Sequence, residues 1–221
     1  MSARDHWERV YATSGSEKRS WYQCVPTMSL EMIARTGVSR DAAILDVGGG
    51  DSTLVDHLLG AGYTNVAVLD ISRAGLDRAQ QRLGTDAARV RWIESDVLAD
   101  VSADVSAGVS AGVSAIEQLA PSSISVWHDR AVFHFLTAAR DRAVYVEQLR
   151  GVLRPEGHVI IATFAEDGPS RCSGLPVARY SSHALQAELG TDFQLADARR
   201  DAHVTPAGVE QPFTYARFVL R

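Results

Sequence analysis

Cysteine is scarce in this chain, which has two among its 221 residues. Cys24 and Cys172 lie far apart in the sequence, and neither belongs to a CxxC pair or to a spacing typical of metal ligands. The sequence therefore predicts neither a disulfide framework nor a metal site, and we expect both thiols to be reduced.

Long apolar runs and an excess of positive charge are also missing. No segment reaches the ~20 apolar residues that a membrane-spanning helix needs, and the N-terminal MSARDHWERV has no apolar core of signal-peptide length. The formal net charge is −5, whereas proteins that bind nucleic acid usually cluster Lys and Arg on one face. We expect a cytoplasmic protein that binds neither membranes nor nucleic acid. The expected assembly is a monomer or a weak homodimer.

The sequence does contain short apolar runs that alternate with helix-patterned segments. Five apolar runs are bounded by turn residues: AAILDV, NVAVLD, RVRWIE, SISVWH and HVIIATF. Helical periodicity marks STLVDHLLGAG, RAGLDRAQQRLG and RDRAVYVEQLRGVL. This alternation predicts an α/β fold with a parallel sheet covered on both faces. The final runs, DFQLADARRDAHVTP and QPFTYARFVLR, are joined by a Pro/Gly turn and predict an antiparallel hairpin at one sheet edge.

Two segments stand outside this pattern within one predicted domain, residues 1–221. Residues 1–40 carry Trp7, Tyr11, Trp21 and Tyr22, and we expect a helical cap with an aromatic face. Residues 101–115, VSADVSAGVSAGVSA, form a tandem repeat of four residues with little side-chain volume to pack. They are predicted to be a low-complexity surface insertion.

Three consecutive glycines follow the first predicted strand in ILDVGGGDSTLVDHLLGAGYTNVAVLDIS, residues 44–72. Glycines at this place let the backbone turn sharply and approach a ligand closely. The dinucleotide fingerprint would require a third glycine at Thr53, and the Gly-Lys-Ser/Thr of a P-loop is absent. Pyrophosphate binding, and with it an NAD-dependent oxidoreductase, is therefore disfavoured. A plain tight turn between strand and helix is the alternative.

Acidic residues mark the ends of the first three strands. Asp46 precedes the glycines, Asp70 ends the second strand, and Asp96 follows the third. Because the carboxyl ends of parallel strands share one sheet edge, Asp70 can accept both hydroxyls of a ribose and Asp96 can accept from an adenine amino group. The three acids predict a nucleoside-sized pocket without a phosphate cradle.

This combination resembles the class I S-adenosylmethionine-dependent methyltransferases over roughly residues 42–221. The resemblance implies a Rossmann-like, mostly parallel seven-stranded sheet and S-adenosylmethionine as the cofactor. The cofactor-binding residues that it implies are Asp46, Gly48, Gly49, Gly50, Asp70, Ile71, Asp96 and Val97. Gly48 and Gly50 would line the methionine part, and Asp46 would orient the loop or the cofactor's amino group. Ser52 stands where a further glycine is often found.

Polar residues also occur where the fourth strand ends, in SVWHDRAVFHFL. His128, Asp129 and Arg130 are expected at the carboxyl edge of the sheet, where open α/β sheets place reactive groups, so His128 is a catalytic candidate. Asp129 is a second candidate, because its carboxylate and the adjacent Arg130 guanidinium need each other or a ligand. His134 is a third candidate, and a core histidine between Phe133 and Phe135 is the equally weighted alternative.

WHDRAVFHFL, ARDRAVYVEQL and EDGPSRCSGLPVARYSSHALQAELG resemble the thiopurine-methyltransferase branch of the class. The aromatic N-terminal segment is also similar to that of small protein-lysine methyltransferases. These resemblances imply that Trp21, Arg130, Cys172 and Tyr180 face the acceptor. An ordered surface loop at GPSRCSGLPV is the structural alternative.

The function expected from these patterns is methyl transfer to a small-molecule acceptor, such as a thiol or another soft nucleophile. A protein-lysine methyltransferase and a non-catalytic nucleoside-binding protein are the alternatives. Cations of the cap and loop favour the small molecule, because they would repel a lysine. These cations are Arg4, Arg9, Lys18, Arg19, Arg171 and Arg179.

The repeat generates a first testable prediction. Deleting residues 101–115 should leave the binding of S-adenosylhomocysteine unchanged, because a long surface loop costs little closure entropy and can be shortened without touching the sheet. Calorimetric titration of the shortened and the full chain measures this. An insoluble or non-binding shortened chain would contradict the predicted surface position.

Overall fold

The computed structural model of the chain describes residues 2–13, 15–98 and 119–221. Its helices and strands are, in chain order, α1 (Ala3–Thr13), α2 (Thr27–Ala34), β1 (Ile44–Val47), α3 (Leu54–Gly60), β2 (Val66–Asp70), α4 (Arg73–Leu83), β3 (Val90–Glu94), β4 (Ile124–Arg130), α5 (Ala139–Val152), β5 (Leu153–Phe164), β6 (Arg171–Cys172), β7 (Leu175–Pro176), α6 (Ser182–Leu189), β8 (Phe193–Val204) and β9 (Glu210–Leu220). The repeat at 101–115 lies outside the described residues. Within the described ranges, no helix has the length and apolar character needed to cross a membrane.

The long strands form one seven-stranded sheet with the order β3-β2-β1-β4-β5-β9-β8. Strands β1 to β5 pair in parallel, and β9 runs antiparallel to both β5 and β8. This confirms the expected Rossmann-like sheet with its C-terminal antiparallel hairpin, β8–β9. The strand order reverses between β1 and β4, where open α/β sheets form their ligand-binding crevice.

Side-chain alternation along the strands gives the sheet two separate cores. On one face, Ile44 and Val126 pack with apolar residues of α2 and α3. On the other face, Leu45 and Trp127 pack with apolar residues of α5 and α6. Helices therefore cover both faces of the sheet, as strands that are apolar throughout require.

A small hairpin, which no sequence pattern predicts, occupies part of the GPSRCSGLPV segment. Strands β6 and β7 pair Arg171 with Pro176 and Cys172 with Leu175. Cys172 and Val177 are buried against the same core as α2 and α3. The segment is thus an ordered hairpin packed on the domain, with its cysteine turned inward.

A buried carboxylate fixes the chain just after β4. Asp129 has no exposed surface, and it accepts hydrogen bonds from the Tyr145 hydroxyl at 2.6 Å and from the Val132 N–H at 2.9 Å. The Trp127 indole donates to the same hydroxyl at 2.7 Å. Burial raises the pKa of Asp129 to about 6, although the Tyr145 hydroxyl acts to lower it. Asp129 therefore ties the turn after β4 to α5.

Tyr145→Phe should destabilise the protein by roughly 1–3 kcal/mol, because it removes a donor to a buried carboxylate and the acceptor of the Trp127 indole. The folded pKa of Asp129, about 6, lies above its ordinary value of 3.8. The carboxyl therefore stabilises the fold most at low pH, and this contribution is lost as the pH rises through about 6. The loss in Tyr145→Phe should be larger at pH 8, where the hydrogen bond is to an ionised group, than at pH 5. Urea unfolding at both pH values measures it.

Tyr180→Phe is the matched control. The Tyr180 ring is also buried and packs on Phe133, with ring centroids 5.5 Å apart, but no hydrogen bond to a carboxylate shifts its pKa. An equal loss at both pH values in Tyr145→Phe, or the same pH dependence in the control, would contradict the role assigned to the Tyr145 hydroxyl.

Candidate functional site

A cavity of about 350 Å³ opens at the carboxyl ends of β1, β2, β3 and β4. Its floor comes from the residues at or just after the four strand ends. These are Val47, Gly48, Leu69, Asp70, Ile71, Ser95, Asp96, Val97, Leu98, Arg130, Ala131 and Val132. The cavity therefore lies at the crevice that the strand order predicts.

The N-terminal segment covers this cavity. Trp7, Tyr11 and Trp21 line it, and their rings pack edge to face or tilted against one another at centroid distances between 6.0 and 6.4 Å. The carboxylate of Glu8 accepts from the Arg73 N–H at 2.6 Å, at the first turn of α4. A carboxylate at a helix N-terminus meets both the free amides and the positive end of the helix dipole. Helix α1 is thus fixed to α4 and lies over the strand ends.

The glycine turn allows this close cover. Gly50 has φ of +46°, and a Cβ placed on it would lie 2.0 Å from the Tyr11 hydroxyl. Gly48 has φ of +66°, and its Cβ would lie 2.0 Å from Cγ2 of Val132. Any side chain at these two positions would displace either α1 or the turn after β4.

Asp70 presents a buried carboxyl group to the cavity. It is 5% exposed, and Oδ1 accepts from the Ser72 N–H at 2.8 Å. Burial, together with the neighbouring carboxylates of Asp46 and Asp51, raises its pKa to about 7. The group thus titrates near neutral pH, and a ligand that donates hydrogen bonds would favour its ionised form.

The structure brings together five of the predicted cofactor residues at the cavity wall, namely Gly48, Asp70, Ile71, Asp96 and Val97. Asp96 is half-buried, and its Oδ1 accepts from the Leu98 N–H at 2.9 Å. Gly50 lies behind the Tyr11 ring. Asp46 and Gly49 line a second, smaller cavity instead.

This second cavity measures about 50 Å³ and adjoins the first. The two share Tyr11, Trp21, Gly48 and Arg130 in their walls. Ser29, Asp46, Gly49 and His128 are among the other residues that line the smaller one. It therefore lies between the glycine turn and helix α2.

Of the predicted acceptor-side residues, Trp21, Arg130 and Cys172 line the large cavity. Arg130 donates from Nε to the Tyr215 hydroxyl and from Nη1 to the Trp21 carbonyl, each at 3.0 Å. Burial raises the pKa of the Cys172 thiol, so the thiol form is favoured. Tyr180 lies instead in the core against Phe133.

The catalytic expectations do not match the placement of the side chains. His128 and Asp129 are adjacent on β4, so they point to opposite faces of the sheet. The carboxylate of Asp129 turns to α5, where Tyr145 and backbone amides occupy it, and it needs neither Arg130 nor a ligand. His128 turns to α2 and lines the small cavity, not the large one.

His134 takes the position of the alternative, a core histidine. It has no exposed surface, and its ring packs on Phe135 and Phe164 with centroids 4.5 and 4.9 Å away. Burial lowers its pKa to about 3, so the ring is neutral at physiological pH. Its two nitrogens have no hydrogen-bond partner within the described residues.

Sequence reasoning misses an ion pair beside the glycines. Arg19 and Asp51 pair while 4% and 4% exposed, and the Ser16 hydroxyl donates to the same carboxylate. The position of Asp51, directly after three glycines, is the sequence feature that could have marked it as a site residue. Nothing in the sequence pattern marks Ser29, which acquires its place only when α2 packs on the sheet.

The chain matches a family model described as a methyltransferase domain over residues 45–159. No curated protein sequence matches it. A solved structure of an S-adenosylmethionine-dependent methyltransferase from Anabaena variabilis is similar, with a TM-score of 0.76, 16% identity, and coverage of 100% of this chain and 96% of that chain.

Two further solved structures have related folds. The 1,6-didemethyltoxoflavin N1-methyltransferase of Burkholderia thailandensis, with bound 1,6-didemethyltoxoflavin and S-adenosylhomocysteine, gives a TM-score of 0.61 at 20% identity, covering 98% of this chain and 84% of that one. A second structure is described for the conversion of a disulfide bond into a thioacetal group during echinomycin biosynthesis. It gives a TM-score of 0.73 at 16% identity, covering 99% of this chain and 92% of that one.

The family model spans more than half of the chain, and it begins at β1 and ends in β5, so that it contains the glycine turn and the four strand ends around the cavity. The chain therefore belongs to the methyltransferase-domain family: it is a class I methyltransferase, and S-adenosylmethionine is its cofactor.

Proposed function

We propose that this enzyme transfers the methyl group of S-adenosylmethionine to a small-molecule acceptor. The observation that carries the proposal is the enclosure of the large cavity. Aromatic residues of the N-terminal segment close it on one side, and Cys172, Leu175 and Pro176 of the β6–β7 hairpin line it on another. A walled cavity of this kind suits a small ligand better than a lysine presented by a folded protein.

The residues at the strand ends fit the cofactor. In this proposal, the buried carboxylate of Asp70 accepts from the ribose hydroxyls, and Asp96 and Val97 flank the adenine next to Ile71. The walls here are apolar apart from a few polar groups, as a nucleoside site requires. Gly48 adjoins the methionine part, which extends toward the small cavity that Asp46 and Gly49 line.

When bound, the cofactor supplies a methyl group on a positively charged sulfur. The contribution of this chain is to align the acceptor with that group and to exclude water. Trp7, Tyr11 and Trp21 exclude water from one side, and the hairpin excludes it from the other. Asp129 and His134 lie in the core, so neither of these two catalytic candidates lines the large cavity.

The lining of the cavity favours an acceptor that needs little base assistance. Among the described residues that line it, Arg130 is the only cation, and the acids are Asp70, Asp96 and Asp141. A thiol with an ordinary pKa near 8.5 ionises readily, whereas a lysine must lose a proton from a much weaker acid. We therefore favour a thiol or another soft nucleophile held near Arg130, Trp21 and Cys172.

Two of the solved structures with related folds are described with chemistry at nitrogen and at a disulfide bond. One methylates N1 of 1,6-didemethyltoxoflavin, and another is described with the conversion of a disulfide bond into a thioacetal group. Both are concerned with small or natural-product substrates, which agrees with the proposal. They do not select the acceptor atom, because one scaffold serves many acceptors.

Repulsion of a lysine by the cap is weaker than the sequence suggests. Arg4 pairs with Glu94, and Arg19 pairs with Asp51, so the charges of both are balanced. Arg171 and Arg179 donate to the carbonyls of Gly174 and Gly168. The case for a small molecule therefore depends on the walls of the cavity more than on the net charge of its rim.

The role proposed for Asp70 predicts a pH-dependent affinity. The carboxyl has a pKa of about 7 in the folded protein, and only its ionised form accepts from both ribose hydroxyls. The affinity for S-adenosylhomocysteine should therefore fall as the pH drops below 7, by up to roughly tenfold per unit. Asp70→Asn should bind roughly 10- to 100-fold more weakly at pH 8, since a hydrogen bond to a charged group contributes ~1.5–3 kcal/mol.

Calorimetric titration between pH 5.5 and 8.5 measures both effects. The asparagine variant is also the control for other titrating groups, because its affinity should not depend on the pH. Wild-type affinity that is independent of pH, or an asparagine variant that binds as well as wild type while its melting temperature falls, would assign Asp70 a structural role.

The acceptor class is tested with labelled methyl groups. Protein, S-adenosylmethionine with a labelled methyl, and a host lysate are incubated, and the products are separated by a protein-retaining filter. Label should appear in the fraction that passes the filter, and at limiting S-adenosylmethionine it should fall by roughly 10- to 100-fold when the enzyme carries Asp70→Asn. Label found only in the retained fraction would overturn the small-molecule proposal in favour of protein lysine.

A further inference from the structure

Asp46, His128 and Ser29 form a continuous hydrogen-bonded chain beneath the small cavity. Asp46 Oδ1 lies 2.7 Å from His128 Nδ1, and His128 Nε2 lies 2.9 Å from the Ser29 hydroxyl. The three residues are 3%, 2% and 1% exposed, respectively. Three polar side chains are thus buried away from water at one point of the sheet, and each depends on its neighbour for a hydrogen-bond partner.

The register of the sheet produces the first link of this chain. Strands β1 and β4 are parallel neighbours with Asp46 directly beside His128. Both side chains therefore point to the face that α2 covers, and α2 supplies Ser29. These hydrogen bonds connect the end of β1, where the glycine turn starts, to the helical N-terminal segment.

The direction of the hydrogen bonds follows from the acid. A carboxylate in its ionised form only accepts, so in this arrangement the Nδ1–H of His128 donates the hydrogen bond to Asp46 Oδ1. In the neutral ring Nε2 then accepts from the Ser29 hydroxyl. One oxygen of Asp46 is in this way held by His128. The other, Oδ2, lies 2.6 Å from the point where a Cβ on Gly49 would be, so it faces the glycine turn.

The small cavity offers opposite charges to a ligand. Asp46 lines it, and so does Arg130, whose Nη2 is buried without a hydrogen-bond partner among the described residues. Asp51 lines it too, but its charge is paired with Arg19. A cavity of about 50 Å³ has no room for a nucleoside. Its charges and size suit the amino-acid end of a ligand, which carries an ammonium and a carboxylate.

We propose that His128 is a positioning residue that, supported by Ser29, orients Asp46 toward the ammonium group of the methionine end of S-adenosylmethionine. The inference rests on the proposed function, which places the methionine end beside Gly48 and the small cavity. His128 itself does not touch the reacting methyl group in this arrangement. It holds the carboxylate in one rotamer, so that Asp46 meets the ammonium without first paying for reorientation.

Two substitutions of His128 separate its two contacts. In His128→Asn, the side-chain amide nitrogen takes a place close to that of Nδ1, so a donor to Asp46 remains while the link to Ser29 is lost. In His128→Gln, the longer side chain reaches toward Ser29, and Asp46 loses its donor. The glutamine variant should therefore disturb the ligand site more than the asparagine variant.

Two ligands separate positioning from general stability. S-adenosylhomocysteine carries the amino-acid end, whereas 5′-methylthioadenosine has the same nucleoside without it. Calorimetric titration gives the ratio of the two affinities for each variant. His128→Gln should lower the affinity for S-adenosylhomocysteine by roughly tenfold or more, the effect of ~1.5 kcal/mol for one charged contact, and leave that for 5′-methylthioadenosine within about twofold. His128→Asn should keep the wild-type ratio within about threefold.

Tyr145→Phe is the control for stability, because its hydroxyl lies on the opposite face of the sheet, and it should leave the ratio unchanged. If His128→Gln does not fold, His128→Ala, which also removes the donor to Asp46, replaces it, and its ratio should fall in the same direction. A ratio that stays at the wild-type value in His128→Gln, or in His128→Ala where that variant replaces it, overturns the inference. Equal losses in the asparagine and glutamine variants overturn it as well, since they would reflect the bulk of the ring.

The same titrations keep this inference apart from the proposed function. A wild-type protein that binds neither ligand contradicts the proposed cofactor site as a whole. A wild-type protein that binds both, with a ratio that no His128 variant alters, contradicts the role of His128 alone.

Discussion

The parallel register between β1 and β4 is the constraint on which the site depends. These two neighbours lie where the strand order reverses, and their carboxyl ends open the crevice. The register sets Asp46 beside His128 and Val47 beside Asp129. Because side chains alternate along a strand, the first pair points to α2 and the second to α5. A shift of β4 by one residue would turn Asp129 to the face of α2 and His128 to the face of α5, and it would separate Asp46 and Asp129 from their partners.

Burial of acids under an aromatic cover is the second feature that shapes the site. Asp46, Asp51 and Asp70 are all nearly inaccessible, and each would be costly if it were charged and unpaired. His128 forms a hydrogen bond with the first, and Arg19 forms an ion pair with the second. Asp70 accepts a hydrogen bond from the Ser72 N–H, and burial raises its pKa to about 7. Of these three acids, Asp70 is the one that lines the large cavity, where a ligand can supply further donors.

Two walls of the large cavity come from outside the parallel sheet. Helix α1 and Trp21 form one wall, and the β6–β7 hairpin forms the other, whereas the floor is made by the strand ends. Gly50 couples the two parts, since a side chain at this position would push into Tyr11 of α1. One fold can serve many acceptors, because acceptor recognition depends on the residues that line the site and not on the fold itself.

The sequence determined the sheet, the hairpin at its edge and the acids at the strand ends, because apolar periodicity and turn residues are local signals that survive without tertiary context. It placed Asp70, Asp96 and Gly48 at one edge for the same reason. The Arg19–Asp51 pair and the link from His128 to Ser29 were decided by the tertiary structure, since each joins segments that are far apart in the sequence. Asp129 and His134 show the same limit: their position next to a strand end is visible in the sequence, but the face and the partners that each side chain meets depend on how α5 and the aromatic core pack.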